Sequence, residues 1–341
     1  TEVVFSDLKS AWAGGDAFGK VGALACGKIC GSKNTTAIAG VHFDLGYDFI
    51  RKERGHFGVS LHSVAPSGTT PSADYMFNAV AGANNSWQIG GSVNAAYEMW
   101  NDCDGDKRLC FFLDAYVTHL FDAKQKRLMG LKNAAQTATN PGSAYMVLKK
   151  FSSAAVVDVS TPLVRVADVL CSDVKVRADI MADIALMLQY DSGNYSLGLG
   201  WNFWYRSREK MKERPSILAS TYGISDNADA MTDSYNGNIW TTTTASESTI
   251  GKIQGTAGTT TVGGTPTVDS TNPTFLVDGD VDECSALHPN VFTNKVFGFV
   301  GYNWKDCEWQ PFVSVFGGVE FGDENKAADQ WEVGVKGGIA F

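Results

Sequence analysis

Between Val174 and Tyr190 every second residue is apolar. Val174, Val176, Ala178, Ile180, Ala182, Ile184, Leu186, Leu188 and Tyr190 share one parity, while Lys175, Arg177, Asp179, Asp183 and Gln189 share the other. Side chains along a strand alternate between faces, so the run predicts one long strand with an apolar and a polar side. It is longer than strands of soluble proteins usually are. Asp191-Ser192-Gly193-Asn194 follows, rich in residues that tolerate left-handed backbone. Tyr195, Leu197, Leu199, Trp201, Phe203 and Tyr205 then alternate with Ser196, Gly198, Gly200, Asn202, Trp204 and Arg206. Two long strands around a tight turn predict a barrel-type hairpin.

The same period recurs along the chain. Val41 to Phe49 alternates, a charged turn spans Arg51 to Gly55, and Phe57, Val59 and Leu61 continue the pattern. Trp87 to Met99 and Leu109 to Val117 form a second pair. Val296 to Trp304 and Trp309 to Phe321 bracket a turn at Lys305 to Glu308. In the last segment Trp331, Val333, Val335, Gly337, Ile339 and Phe341 share one face, and Glu332, Gly334, Lys336, Gly338 and Ala340 the other. Proline cannot donate to a ladder; eight of the nine prolines fall between these segments, and Pro311 falls near the start of one. Further strands are expected from Asp74 to Ala81, from Gly142 to Phe151 and in 153–172. The resulting expectation is an all-β fold, a transmembrane antiparallel up-and-down β-barrel of about twelve strands, within roughly ten to sixteen. The whole of 1–341 forms one barrel domain in this reading.

Two stretches break the period. From Lys210 to Asn290 the chain is Thr-, Gly-, Ser- and Asn-rich, with runs at Thr241 to Thr244 and Thr259 to Thr261. It holds too few aliphatics to be a domain alone, so 210–290 is expected to be one long extracellular loop. The turns at 191–194 and 305–308 then fall together on the opposite, periplasmic side, where barrel turns are short. In 1–40 glycines interrupt any pattern, and this piece is read as an early strand, a plug or a periplasmic arm.

Composition narrows the class. No run of about eighteen apolar residues exists, which excludes transmembrane helices and leaves a barrel open. The net charge is −9 with no basic block, which argues against nucleic acid and against a polybasic membrane patch. Thr1-Glu2-Val3 is read as a mature start after signal-peptide removal. Seven cysteines fit an oxidising compartment. Cys103 and Cys110 bracket a turn and are expected to form a disulfide; Cys26 and Cys30 either pair or bind a metal, and an odd total leaves a thiol over.

Catalytic templates are missing: there is no G-x-S-x-G, H-E-x-x-H, P-loop or G-x-G-x-x-G after a strand. His42, His62, Ser60, Asp44 and Asp48 fall on one predicted face; lumen-lining polarity explains them without catalysis, so no enzyme is expected. Asp278, Asp280 and Asp282 alternate as hard cations such as Ca²⁺ require, without the glycine and later glutamate of an EF-hand. A solvated acidic loop is the plain alternative. The polar parity places Asp44, Asp48, Glu98, Asp114, Asp179, Asp183, Glu320 and Glu332 against Lys175, Arg177, Arg206 and Lys336. Were these to line a water-filled pore, the excess of carboxylates would favour cations.

These segments, with the terminal strand from Trp331 to Phe341, resemble a Gram-negative outer-membrane porin. The cysteine count is similar to that of the disulfide-linked major outer-membrane proteins of chlamydia-like intracellular bacteria. The resemblance implies a cell-surface protein in outer-membrane lipid, a closing strand whose terminal Phe341 is read by the barrel-assembly machinery, passive diffusion of ions and small solutes, and trimers. No cofactor is implied beyond the Ca²⁺ of the acidic loop. The alternative is a structural or adhesive surface barrel with a blocked lumen, joined to its neighbours by disulfides or Ca²⁺ into a lattice.

Overall fold

A computed structural model describes residues 8–14, 23–102, 106–132, 142–153, 156–157, 163–224, 259–262, 265–268, 275–305, 309–324 and 326–339. Its strands, numbered in chain order, are β1 (Gly40–Lys52), β2 (Gly55–Pro66), β3 (Gln88–Asn101), β4 (Lys107–Leu120), β5 (Ala123–Leu128), β6 (Cys171–Ala178), β7 (Met181–Ser192), β8 (Tyr195–Arg206), β9 (Glu209–Glu213), β10 (Val291–Asn303), β11 (Pro311–Gly322) and β12 (Gln330–Ile339). Shorter strands are given below by residue range.

Nine of these form one antiparallel sheet in the order β1-β2-β3-β4-β7-β8-β10-β11-β12. Neighbours in the sheet are neighbours in sequence apart from the excursions around β5, β6 and β9, so it is a meander. All-β architecture is thus established. Among the described residues the sheet holds nine strands, against the expected twelve, and β1 and β12 each pair with one neighbour only, so no closed barrel is formed there. Both edge strands run toward the same end of the sheet.

The two ends differ. At one end β1 reaches β2 after Lys52, and β7 reaches β8 through Gly193 and Asn194, with Gly193 at φ +55°. A left-handed residue suits a two-residue hairpin because it matches the twist of the strands. At the other end lie 67–87, and the strand ends of β4, β7, β8 and β10 that the longer connections join. The turn at 191–194 and the strand ends at Asn303 and Pro311 therefore share an end, opposite Arg206 and Val291; residues 306–308 of the turn expected at 305–308 lie outside the described residues.

The long alternating run from Val174 to Tyr190 is two strands. The ladder breaks at Asp179 and Ile180, where His119 Nδ1 meets the Asp179 carbonyl at 2.7 Å and the Ile180 N–H donates to Ser207 Oγ at 2.9 Å. Beyond the break β6 joins β5 and β9 in a separate three-stranded sheet. Its Val174 and Val176 pack with Met129, Leu131, Met146, Leu148, Val166 and Leu170, and with Leu276, Val281 and Ala286, into a buried core. This cap is the main aliphatic core of the described chain. The ends of the 210–290 stretch thus contribute to a packed unit, and residues 225–258 lie outside the described residues. Val147–Ser153 and Leu163–Arg165 belong to a small sheet of the cap, and 74–81 holds only the isolated bridge from Lys28 to Tyr75.

Residues 23–30 lie against the cap. Cys26 is bonded to Cys171 with a Cα–Cα distance of 6.4 Å, which corrects the Cys26 and Cys30 pairing. The Ala25 N–H donates to Asp168 and the Tyr145 hydroxyl to the Gly27 carbonyl. Cys110 carries a free thiol, as do Cys30 and Cys284. Cys103, the partner expected for Cys110, lies outside the described residues, as does Phe341.

Candidate functional site: the polar face of the sheet

Residues opposite one another in an antiparallel ladder share a face, so the registers sort the nine-stranded sheet into two sides. One side is apolar and exposed. It carries Leu45 (78% exposed), Leu199 (63%), Val315 (52%), Trp331 (78%) and Val335 (71%), together with Val333 and Ile339 of the last strand. Proteins surrounded by water rarely leave so large a contiguous apolar surface uncovered.

The other side carries Asp44, Asp48, Glu98, Asp114, Asp183, Arg206, Glu332 and Lys336, as their parity predicts. Asp44 Oδ1 lies 2.7 Å from His62 Nδ1, and the His62 ring stacks on Tyr116 at 5.2 Å and lies 5.3 Å from His42. Ser60 shares a hydrogen bond with Ser92. Asn202 Nδ2 donates to Asp183, and Lys295 pairs with Glu332 at 2.6 Å. Near the short turns Arg108 Nε donates to Asp191 at 2.8 Å, and Ser196 and Gln189 donate to the same carboxylate.

Lys175, Arg177 and Asp179 are elsewhere. They sit on or beside β6, in the three-stranded sheet, and are spent on ion pairs: Lys175 with Glu213 at 3.0 Å, Arg177 with Asp179 at 2.9 Å, and Asp179 with Lys210. The break at Asp179 removes all three from the nine-stranded face. The acidic loop also diverges. Asp278 accepts from Arg214 and from the Ile217 N–H, Asp280 from the Val277 N–H, and Asp282 from the Cys284 N–H. Among the described residues no group of three or more His, Cys, Asp or Glu converges as a metal site. The Ile217 N–H, and then Arg214, hold the Asp278 carboxyl below the ordinary carboxylate range.

Two features of the face exceed the parity list. First, its β8–β12 side carries a group of aromatic rings. Phe297 lies opposite Gly200, Phe299 opposite Gly198 and Phe316 opposite Gly334. A Cβ placed on Gly200 would come within 2.3 Å of the Phe297 ring, so the ring fills the space beside the neighbouring backbone. The signal was available in sequence, since these phenylalanines share parity with Lys295 and Ser314.

Second, a buried ionic network sits where the face meets the cap. Glu209 is 3% exposed; both its oxygens lie 3.2 Å from Arg127 Nη2, and one lies 3.6 Å from Arg206 Nη1. Asn84 and the His288 N–H donate to it as well. Burial pushes the His288 imidazole below its ordinary value; Glu209 opposes this, and the two guanidiniums add to it. No local motif announces this cluster, because its members come from four separate parts of the chain. On the same side His62, Val64, Gln88, Thr118 and Leu120 are buried near the long-loop end, whereas Asp48 and Asp114 remain exposed.

No protein-family model and no curated protein matches this chain.

Proposed function

We propose that the chain is an outer-membrane β-barrel that passes ions and small hydrophilic solutes by passive diffusion, with a bias toward cations. The observation that carries the reading is the two-sidedness of the sheet: one face exposes a continuous apolar surface, and the other holds carboxylates, amides and hydroxyls. A lipid-facing exterior and an aqueous interior ask for that division. Strands of about twelve residues extend about 40 Å, and a tilt near 40° brings them close to the hydrocarbon thickness. Short connections at one end and long ones at the other also suit a barrel in an outer membrane.

In this reading the exterior of β12 meets lipid through Trp331, Val333, Val335 and Ile339. Recognition by the barrel-assembly machinery belongs to the same proposal. Because β1 and β12 run in the same direction, direct closure would pair them in parallel, and one further strand between them would keep every pair antiparallel. Asp48 and Asp114 have no ion pair among the described residues, which supports the cation bias.

Folded protein in detergent is expected to migrate faster unheated than boiled. In planar bilayers it is expected to give ohmic openings whose reversal potential in a salt gradient indicates cation preference. A purified, heat-modifiable protein that stays electrically silent would sink the channel reading.

The burial of His62, Gln88 and Thr118 beneath the long loops favours a second reading, a surface barrel blocked by its cap. Exposed Cys284 is the thiol that would link neighbours in a lattice. A ladder of oligomers on non-reducing gels, lost with reductant, distinguishes this role.

A further inference from the structure

We infer that the polar face holds a binding site for small organic cations, in the cavity between Asn94 and Asp114 on one side and Phe112, Met187 and Phe297 on the other. The cavity measures about 370 Å³ and is also lined by His56. That volume is at the lower end for small-molecule pockets. The inference deepens the channel reading and takes from it only the route by which a solute reaches the face.

Register explains how two chemistries meet there. Asn94, Asp114, Ala185 and Asn202 lie side by side across β3, β4, β7 and β8. Two residues along each strand the row becomes Ala96, Phe112, Met187 and Gly200, and it continues to Phe297 on β10. With glycine at position 200 the tip of the Phe297 ring fills the space a side chain there would take, and the ring lines the cavity. Asp48 extends the polar row at the β1 edge through Gly58.

The occupant follows from charge. Among the described residues Asp114 and Asp48 form no ion pair; Arg51 and Lys52 line the neighbouring groove beside Asp48, and His56 lines the cavity itself, so Asp114 is the carboxylate left to meet a cation beside aromatic and thioether surface. Aromatic faces attract cations through the ring quadrupole, most strongly where water is excluded. A hydrated metal cation would gain from Asp114 but not from Phe297. A neutral sugar would gain from the ring but would leave the carboxylate unmatched. An ammonium group carried on an apolar body satisfies both.

Titration of choline chloride into the folded protein in detergent, followed by calorimetry at constant ionic strength with glucose and NaCl as controls, tests the site. Saturable choline binding is expected, weakened about tenfold or more in both Asp114→Asn and Phe297→Leu, with no heat from glucose. Asn94→Asp, which adds a carboxylate, is expected to tighten binding and covers the case in which a weakened variant fails to fold. Heat-modifiable migration reports folding for each. No choline binding, binding unchanged in all three variants, or equal binding of glucose would overturn the inference. Binding in a protein that conducts nothing would refute the channel and leave the site standing. Conductance without binding would do the reverse.

Discussion

Glu209 joins groups from four parts of the chain. It pairs with both Arg127 and Arg206 and ties Asn84 and His288 to the same point. Removing one partner of a buried ionic cluster leaves the others uncompensated, at a typical cost of about 3–5 kcal/mol. The Glu209→Ala protein is therefore expected to lose its cap to limited proteolysis at much lower temperature than the parent. Lys175→Ala, which removes an exposed pair, is expected to change this by less than about 1 kcal/mol. Equal effects of the two would contradict the importance given to burial. At this scale parity alone sorted Asp44, Asp48, Asp114 and Asp183 onto one face. It misplaced Lys175, Arg177 and Asp179, because parity carries past a break that side chains on other strands impose: His119 and Ser207 take the polar groups of Asp179 and Ile180. Glu209 was illegible for the same reason, since its partners arrive from distant parts of the chain.

Among elements, the pairing of β8 with β10 shows how register becomes surface. The Phe297 ring needs the space that a side chain at Gly200 would take. Gly200→Val is expected to overpack this contact and to cost about 1–3 kcal/mol. Adding Phe297→Ala is expected to recover part of that loss, because the two changes share one contact. Thermal unfolding of the single and double variants measures both, and strict additivity would contradict the contact. The hairpin of β7 and β8 was readable in advance, because its alternation and its Gly193-Asn194 turn are both local. The Phe–Gly contacts were readable in parity but not in partner, since Gly200 meets Phe297 only after the sheet has chosen its order.

For the molecule as a whole, the Cys26–Cys171 bond fastens residues 23–30 to the cap across a separation of 145 residues. Closing a loop of that length restricts the unfolded chain by about 4–5 kcal/mol in the chain-entropy account. The Cys171→Ser protein is expected to expose cap sites to protease while the nine-stranded sheet keeps its β-sheet circular-dichroism signal. Joint loss of both would show that cap and sheet are one cooperative unit. Periodicity by itself determined that the chain is all-β, which segments form the long hairpins, and which parity is apolar, because each is a property of residues two apart or within one turn. Only the tertiary structure decided the nine-strand order, the break at Asp179, the cap core to which the ends of the 210–290 stretch contribute, and the partner of Cys26. Those depend on contacts between residues far apart in the chain, and local alternation carries no information about which distant strand, ring or thiol will arrive beside a given position.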